Sequence, residues 1–287
     1  MSVIQENSFG KVKQLPLGSE LEQLVIEHNV CQARLSLYGG QVLSWQPVDQ
    51  KEVFWLSNGA LYQNGKAIRG GIPICWPWFG GYESAGNHGF ARQVLWQLSR
   101  LEISEETVLI EIVWQGEAQH ELWPYAAKVT QRFVFGLQFE QHFTIENLGL
   151  KEFAYTGALH SYFSVSDPEN VTVPGLDGAG FDCKITGNKQ QKDKLNNVTG
   201  PLDRIYYSSE AMTIVDRQAG RSIVLTPINV NNWVLWNPGR ETAQTMNDIH
   251  DGGENEYVCL EAANTDWQNV NAGQLVKFGQ VISIESI

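Results

Sequence analysis

A regular alternation of apolar and polar residues between Val129 and Ile145 is the feature that most constrains how this 287-residue chain folds. Because successive side chains of a β-strand point to opposite faces of a sheet, a period of two residues indicates strand rather than helix. The pattern predicts either one long strand or two strands that meet at Gly136. The alternating positions are apolar at Val129, Phe133, Phe135, Leu137, Phe139, Phe143 and Ile145, and polar at Lys128, Thr130, Arg132, Gln138, Glu140, His142 and Thr144.

Shorter segments with the composition of strands occur along most of the chain, separated by turn signals such as Asn64-Gly65 and Asp251-Gly252-Gly253. The best helical candidate, Ser19 to His28, is short, and no repeat or Pro/Ser-rich linker divides the sequence. We therefore expect one all-β domain over residues 1–287, a large antiparallel β-sandwich with few short helices. The strand candidates are residues 32–37, 41–46, 94–103, 107–115, 153–165, 212–216, 221–226, 231–236, 257–263 and 276–285.

Charge and cysteine usage limit the classes of partner. A net charge of -12 argues against a general binder of nucleic acid or of an anionic membrane, although two or three local arginines could still hold a small anion. The four cysteines show no CxxC spacing, so neither a zinc site nor a secreted disulfide framework is expected. The first residues lack an apolar signal core, and no run of about 18 apolar residues occurs. These observations predict a cytoplasmic protein with reduced cysteines, no metal and no membrane partner.

The segment from Arg69 to Gly81, followed closely by His88 to Arg92, combines paired glycines, large aromatic residues and two arginines. Glycines allow backbone to approach a ligand, aromatic rings form a wall, and guanidinium groups bind anions. A tight core turn with solvated arginines explains the same composition. In particular, Trp76 and Trp78 could line a pocket or pack beneath it.

His160 stands on a strand face otherwise occupied by small residues. In the segment 153–165, one face carries Phe153, Tyr155, Leu159, Phe163 and Val165, whereas the other carries Ala154, Thr156, Ala158, His160 and Tyr162. Small neighbours leave space in front of the imidazole, which favours contact with a ligand. A structural histidine with satisfied hydrogen bonds is the alternative.

Glu261 is the single charge in the apolar run Tyr257 to Asn264. A carboxylate is rarely buried without a partner, because its desolvation is costly. Glu261 is therefore either half of a structural ion pair or a base whose pKa is raised by its apolar surroundings. Together with His160 on another strand, it would supply an acid and a base.

Three further segments carry polar or aromatic groups. Asp203 and Arg204 lie between apolar residues, either as a surface ion pair or with the carboxylate accepting hydrogen bonds from sugar hydroxyls. The tryptophans of the segment 231–239 are expected in the core. The acidic segment 251–256 does not fit a calcium-binding loop and is expected to be solvated.

Taken in order, these motifs resemble the glucose-6-phosphate 1-epimerase family, the hexose-6-phosphate mutarotases of the galactose-mutarotase-like superfamily. The resemblance extends from about residue 25 to 285, and the ordered set is far more specific than any single motif. The matching motifs are Arg69-Gly70-Gly71-Ile72-Pro73, Trp78-Phe79-Gly80, His88-Gly89-Phe90-Ala91-Arg92, Leu159-His160-Ser161-Tyr162, Asp203-Arg204-Ile205-Tyr206, Trp236-Asn237-Pro238 and Cys259-Leu260-Glu261-Ala262.

The resemblance implies a β-supersandwich and interconversion of the α and β anomers of an aldohexose 6-phosphate, glucose 6-phosphate foremost, without metal or cofactor. It implies His160 as general acid and Glu261 as general base. It also implies substrate contacts from Arg69, Asn87, His88, Arg92 and Asp203, with the two arginines on the phosphate. Asn87 departs from the glutamine that some family members carry, and its amide is one methylene shorter. We expect a monomer that binds hexose 6-phosphate.

Two other functions are compatible with parts of the pattern. A non-catalytic sugar-phosphate sensor would keep Arg69 and Arg92 but would not need His160 and Glu261 together. A glycoside-cleaving enzyme would use two carboxylates, such as Asp203 with Glu261. The joint presence of a histidine, a glutamate and two arginines favours the mutarotase.

Overall fold

The computed structural model describes residues 2–287, which form twenty strands, one short α-helix and four 3-10 turns. The strands are β1 (Ser2–Glu6), β2 (Gly10–Leu17), β3 (Leu21–His28), β4 (Cys31–Ser36), β5 (Gln41–Pro47), β6 (Ile74–Cys75), β7 (Gln97–Ile103), β8 (Val108–Gly116), β9 (Ala127–Phe135), β10 (Phe139–Asn147), β11 (Phe153–Leu159), β12 (Tyr162–Ser164), β13 (Val171–Thr172), β14 (Phe181–Cys183), β15 (Leu202–Tyr206), β16 (Met212–Asp216), β17 (Arg221–Ile228), β18 (Asn232–Asn237), β19 (Tyr257–Val270) and β20 (Leu275–Ser286). The helix α1 is Gly239–Ala243, and the 3-10 turns are Ala91–Gln93, Pro168–Asn170, Pro174–Leu176 and Gly253–Asn255.

The strands form three antiparallel sheets. The first contains β1 to β5 in chain order, and the second runs β13-β16-β17-β20-β10-β9-β8-β7. The third runs β14-β15-β18-β19-β11-β6, with β12 also paired to β19. The all-β antiparallel architecture expected from the alternating patterns is confirmed. None of the helices between residues 2 and 287 has the length and apolar character needed to cross a bilayer.

The alternation that begins at Val129 forms two strands rather than one. Strands β9 and β10 pair as a hairpin in which Phe135 lies opposite Phe139, and the chain reverses through residues 136–138. The large apolar residues on the inner face are fully buried, whereas Leu137 is exposed at the turn. The hairpin places its aromatic face in the core of the second sheet.

Two glutamines interrupt that buried face and form a hydrogen-bonded network across β9, β10 and β20. The Nε2 of Gln141 donates to Oε1 of Gln131 at 2.9 Å, and the Nε2 of Gln280 donates to Oε1 of Gln141 at 3.1 Å. Gln280 also donates to the hydroxyl of Ser161 at 3.0 Å, and Gln131 donates to the carbonyl of Gly40 at 2.8 Å. Gln131, Gln141, Gln280 and Ser161, here named the glutamine ladder, have no exposed surface.

The expected helix from Ser19 to His28 is wrong. Its residues from Leu21 to His28 form β3, which pairs with β2 on one side and β4 on the other. Leu24 and Ile26 are fully buried on one face, and Val25 between them is only half-buried on the other. A run this short fits both periods, and pairing with two neighbouring strands selects the extended form.

Trp76 and Trp78 lie in the core. Both are almost fully buried, and the ring of Trp76 packs edge-to-face against Phe90 and Trp123. The Nε1 of Trp78 donates to the carbonyl of Gly86 at 3.2 Å. The two tryptophans therefore support the following loop from beneath.

The acidic segment 251–256 is less exposed than expected. Gly253 and Glu254 are buried within a 3-10 turn, and the Nδ2 of Asn237 donates to the carbonyl of Glu254 at 2.9 Å. The side chain of Asn237 thereby fixes this turn to the end of β18.

Candidate active site

One pocket of about 450 Å³ opens on a face of the third sheet. Glu261 on β19 lies opposite Val234 of β18, and Asp203 on β15 lies opposite Trp236 of the same strand. All seven residues that the sequence suggested for catalysis or binding line this pocket, although they come from distant parts of the chain. The lining residues are Arg69, Phe79, Gly80, Gly81, Asn87, His88, Arg92, His160, Lys184, Asp203, Val234, Trp236, Met246 and Glu261.

Val234, which lines the pocket, belongs to a buried cluster of small apolar side chains. Cys75, Ala158, Val234 and Ala263 form one buried cluster, against which Phe79 packs. Ala158 belongs to the small-residue face that the sequence assigned to the strand of His160. The small side chains leave the space above them open for a ligand.

His160 and Glu261 lie next to each other in the pocket. His160 occupies the break between β11 and β12, where its backbone N–H donates to the carbonyl of Pro73 at 3.0 Å. The Nε2 of His160 is 3.3 Å from Oε1 of Glu261, and the two residues are 8% and 1% exposed. The Nδ1 of His160 and the Oε2 of Glu261 are buried without a hydrogen-bond partner within residues 2–287. These two atoms retain the capacity to bond to a ligand.

Burial shifts both groups towards their neutral forms. Desolvation raises the pKa of the Glu261 carboxyl well above its ordinary value, and the nearby Asp203 adds to this shift. Desolvation also lowers the pKa of the His160 imidazole, with further contributions from His88, Arg92 and Arg69. The carboxylate of Glu261 is therefore a stronger base than usual, and protonated His160 is a stronger acid.

Arg69 is fixed at the edge of the pocket by two partners. Its Nε and Nη2 both lie 3.1 Å from Oδ2 of Asp248, and its Nη1 donates to the hydroxyl of Tyr162 at 2.8 Å. The backbone that follows turns sharply through Gly70 and Gly71, both at positive φ. A Cβ atom on Gly71 would lie 2.0 Å from the carbonyl oxygen of Val42, so only glycine fits there.

Arg92 lies in the 3-10 turn Ala91–Gln93 and reaches back across the pocket mouth. Its Nη2 donates to the carbonyl of Asn87 at 3.1 Å. The Nε of Arg92 is buried and has no partner in the part of the chain that the structure describes. Its guanidinium therefore keeps free donors on the pocket side.

His88 is held in one orientation by the loop around it. It adopts a left-handed backbone conformation with φ of 69°, and its ring Nδ1 accepts a hydrogen bond from the N–H of Gly80 at 3.2 Å. Burial, with Arg92, Arg69 and Lys184, lowers the pKa of His88 to about 3. The hydrogen bond to Nδ1 assigns the proton of neutral His88 to Nε2, which leaves a donor available.

Asp203 and Arg204 point in different directions instead of forming an ion pair. Arg204 donates to the hydroxyl of Tyr206 at 3.2 Å, and its guanidinium lies 4.3 Å from the ring centre of Phe181. Asp203 faces the pocket, where burial raises the pKa of its carboxyl and Lys184 opposes that shift. Because consecutive side chains of β15 lie on opposite faces of the sheet, Asp203 faces the pocket and Arg204 does not.

Several lining or supporting residues were not found from the sequence. Lys184 and Asp248 lie in polar loops where neighbouring residues of the same type give no distinguishing signal. Trp236 was expected in the core, and it lines the pocket, with its ring 5.9 Å from that of His160 in an edge-to-face arrangement. Trp233 is fully buried as expected. Alternation along β18 gives the physical reason, because positions 233 and 236 differ by an odd number.

Within residues 2–287, no group of three or more His, Cys, Asp or Glu side chains is arranged to hold a metal ion. The polar groups of the pocket, two guanidinium groups, a lysine, two imidazoles and two carboxylates, suit an anion and hydroxyl groups.

The chain is similar to known proteins over most of its length. Residues 22–285 match the model of the aldose 1-epimerase family. A protein of Salmonella typhimurium, provisionally named a glucose-6-phosphate 1-epimerase, is 38% identical over 248 residues, covering 84% of this chain and 83% of its own. A protein of Escherichia coli with the same provisional name is 36% identical over 250 residues, covering 85% and 83%. A crystal structure of a provisionally assigned mutarotase from Salmonella typhimurium superposes with a TM-score of 0.88 at 34% identity, covering 100% of this chain and 97% of that one.

Proposed function

The chain belongs to the aldose 1-epimerase family, and from this premise we propose that it interconverts the α and β anomers of an aldohexose 6-phosphate, glucose 6-phosphate foremost. It is an isomerase of the aldose 1-epimerase type. The observation that supports this choice of substrate is that acid–base residues and anion-binding residues line one pocket. His160 lies 3.3 Å from Glu261, and Arg69 and Arg92 line the same cavity.

In this proposal Glu261 is the base and His160 is the acid. Glu261 removes the proton of the C1 hydroxyl while His160 donates a proton to the ring oxygen, and the bond between C1 and the ring oxygen breaks. Rotation about the C1–C2 bond then turns the other face of the aldehyde towards the hydroxyl. On closure the two residues exchange roles, so each proton returns and the reaction needs no net acid or base.

The other lining groups hold the substrate. Arg69 and Arg92 bind the phosphate, because forked guanidinium donors match its oxygens. Asp203 accepts hydrogen bonds from sugar hydroxyls. Asn87 at the mouth and the Nε2–H of His88 contribute further donors. Lys184 adds a third positive charge near the entrance.

Exchange spectroscopy tests the function directly. Two-dimensional proton exchange spectra of equilibrated glucose 6-phosphate measure the rate of anomer exchange with and without protein. We expect acceleration on glucose 6-phosphate and smaller effects on galactose and mannose 6-phosphates. If the folded protein accelerates exchange of none of these sugars, the proposed function is wrong.

The same experiment separates the enzyme from a non-catalytic sensor. A sensor would bind glucose 6-phosphate in a calorimetric titration and leave the exchange rate unchanged. The His160 and Glu261 pair favours the enzyme, because phosphate binding alone gives no reason to bury an unpartnered carboxylate oxygen beside an imidazole.

Three further points stay predictions. We propose that residues 1–287 act as one domain, supported by a core cluster with members from all three sheets. We propose a cytoplasmic location, supported by four free cysteines, three of them buried. We also propose a monomer, which light scattering after size exclusion would check.

A further inference from the structure

Tyr162 contacts two of the residues that line the pocket, His160 and Arg69. Its ring stacks on the imidazole of His160, with centroids 4.9 Å apart and planes inclined by 14°. Its hydroxyl oxygen accepts the hydrogen bond from Nη1 of Arg69 at 2.8 Å. One buried side chain thus joins the proposed acid to one of the two proposed phosphate ligands.

The surroundings of Tyr162 leave it little freedom. Its ring also packs on Trp55 at 5.8 Å, on Tyr257 at 5.1 Å and on Trp236 at 6.1 Å. Tyr162 itself is 1% exposed. A buried aromatic ring enclosed in this way transmits a displacement of its hydroxyl to the group stacked on it.

The charges around His160 favour its neutral form until an anion arrives. The groups facing it are Glu261 from β19, His88 from the loop before Arg92, Arg92 and Arg69, with Asp203 and Lys184 on the same pocket wall. Protonation of His160 adds a positive charge to a pocket that already holds two guanidinium groups and a lysine. After burial and His88, the two arginines are the next contributors that lower the pKa of His160. A dianion between these arginines would cancel their effect.

We propose that Tyr162 couples an oxyanion bound at Arg69 and Arg92 to the protonation of His160, so that the anion activates the acid in addition to anchoring the sugar. This inference rests on the proposed function. It extends the activity to aldoses without a phosphate, provided that a tetrahedral dianion occupies the arginine site. The anion is neither consumed nor bonded covalently.

The activation can be tested by replacing the sugar phosphate with two separate molecules, a sugar without phosphate and a free anion. D-Xylose is glucose without its C6 hydroxymethyl group, so it leaves room for a separate anion. Sulfate is a tetrahedral dianion and too weak a base to open the sugar ring itself. Mutarotation of α-D-xylose is followed by polarimetry with and without sulfate, at constant ionic strength, and the rate without enzyme is subtracted.

We expect saturating sulfate to raise the enzyme-catalysed rate on xylose by about threefold or more, because a raised pKa increases the protonated fraction of His160 by more than it weakens the acid. Sulfate should also compete with glucose 6-phosphate. Equal xylose rates with and without sulfate, or a failure of sulfate to compete, would overturn the proposal. If the wild type does not accelerate anomer exchange of glucose 6-phosphate, the proposed function itself is wrong, so the two failures are distinguishable.

Tyr162→Phe tests the coupling residue. The variant keeps the ring stacked on His160 and removes the acceptor for Arg69. Sulfate should still compete and keep its direct charge effect on His160, while the part of the activation that passes through Tyr162 is lost. Tyr257→Phe is the matched control, because its hydroxyl is buried in the same aromatic cluster without a partner in the described chain. We expect wild-type activation in the control. Equal activation in Tyr162→Phe and wild type would refute the role of Tyr162.

If Tyr162→Phe fails to fold, Arg69→Lys provides the second test. It keeps one positive charge at the site but cannot bond Asp248 and Tyr162 together as the guanidinium does. With sulfate at saturation for each protein, the ratio of rates with and without sulfate should fall in this variant. An unchanged ratio would contradict the coupling, because a merely structural Arg69 would alter both rates equally.

Discussion

Two buried polar regions meet at residues 160 and 161. In one of them the polar side-chain atoms have hydrogen-bond partners, and in the other several do not. The glutamine ladder is fully buried, and each of its side-chain amides bonds to a neighbour, ending at Ser161. The pocket beside it begins at His160. There, polar atoms of His160, Glu261 and Arg92 are buried without partners in residues 2–287.

The difference separates a structural network from a binding site. A network of neutral amides in which every side-chain polar atom has a partner stabilises one arrangement of the core. Polar atoms without partners destabilise the empty pocket, because no hydrogen bond compensates their loss of water. We therefore expect substitutions in the ladder to change stability, and substitutions in the pocket to change the rate.

The largest effect is expected from Glu261→Gln and His160→Asn. Each removes a proton-transfer group and should lower the rate of anomer exchange by roughly 10² to 10⁴-fold. The free energy of unfolding should stay the same or rise, because burial already favours the neutral forms of both groups and neither substitution leaves an unpaired charge behind. Exchange spectroscopy and urea unfolding measure the two quantities. A near-native rate in either variant would refute the assigned role.

Gln141→Leu tests the ladder at its centre. The substitution leaves Oε1 of Gln131 without its donor and Nε2 of Gln280 without one acceptor, and should lower the free energy of unfolding by about 2 kcal/mol. The exchange rate per folded molecule should stay within roughly threefold of wild type, because no proton-transfer group is touched. Gln138→Leu, at the exposed turn of the same hairpin, is the control and should change stability by less than about 0.5 kcal/mol. If Gln141→Leu keeps its stability but loses much of its exchange rate, the ladder contributes to catalysis and the expected difference between the two regions is wrong.

The pH dependence of stability should differ in sign between the two pocket residues. Burial raises the pKa of Glu261 above 4.5, so its stabilising contribution is complete below about pH 4.5 and is lost as the pH rises through the raised pKa. Burial lowers the pKa of His160 below 6.5, so its contribution is present above 6.5 and is lost as the pH falls through the lowered pKa.

The matched variants reveal these contributions. Relative to Glu261→Gln, the wild type should lose stability as the pH rises above 4.5, by as much as about 1.4 kcal/mol per pH unit. Relative to His160→Asn, it should lose stability as the pH falls below 6.5. Urea unfolding across this pH range checks both slopes. Parallel curves for wild type and variants would show that the pocket does not perturb either group.

The fold was predictable where a period of two residues was long and unbroken. Strands β9 and β10 follow from that alternation, which also places Gln131 and Gln141 on the apolar face. The pattern gave no reason for a glutamine to be buried there, because glutamines are usually exposed. Strand β3 was mistaken for a helix because a short apolar run fits both periods. Its extended form depends on β2, which the sequence did not suggest.

The sequence indicated which residues have the chemical groups needed in the pocket, but it did not show that these residues lie close together. Residue type and apolar surroundings singled out His160 and Glu261, yet 100 residues separate them, and only the pairing of β11 and β12 with β19 brings them together. Lys184 and Asp248 carried no local signal, because loop charges are ordinarily solvated. Their roles arise from tertiary contacts alone.

Ser161→Ala is expected to have the smallest effect, and it tests the boundary between the glutamine ladder and the pocket. Ser161 follows His160 directly, and its hydroxyl accepts from Gln280 at 3.0 Å. Its loss should cost about 1 kcal/mol of unfolding free energy, since Gln280 keeps its bond to Gln141. If the ladder only stabilises the core, the exchange rate should stay within about twofold of wild type, since His160 is held by the carbonyl of Pro73 and the ring of Tyr162. A tenfold loss of rate at unchanged stability would mean that the ladder positions the acid, and the two regions would then be one.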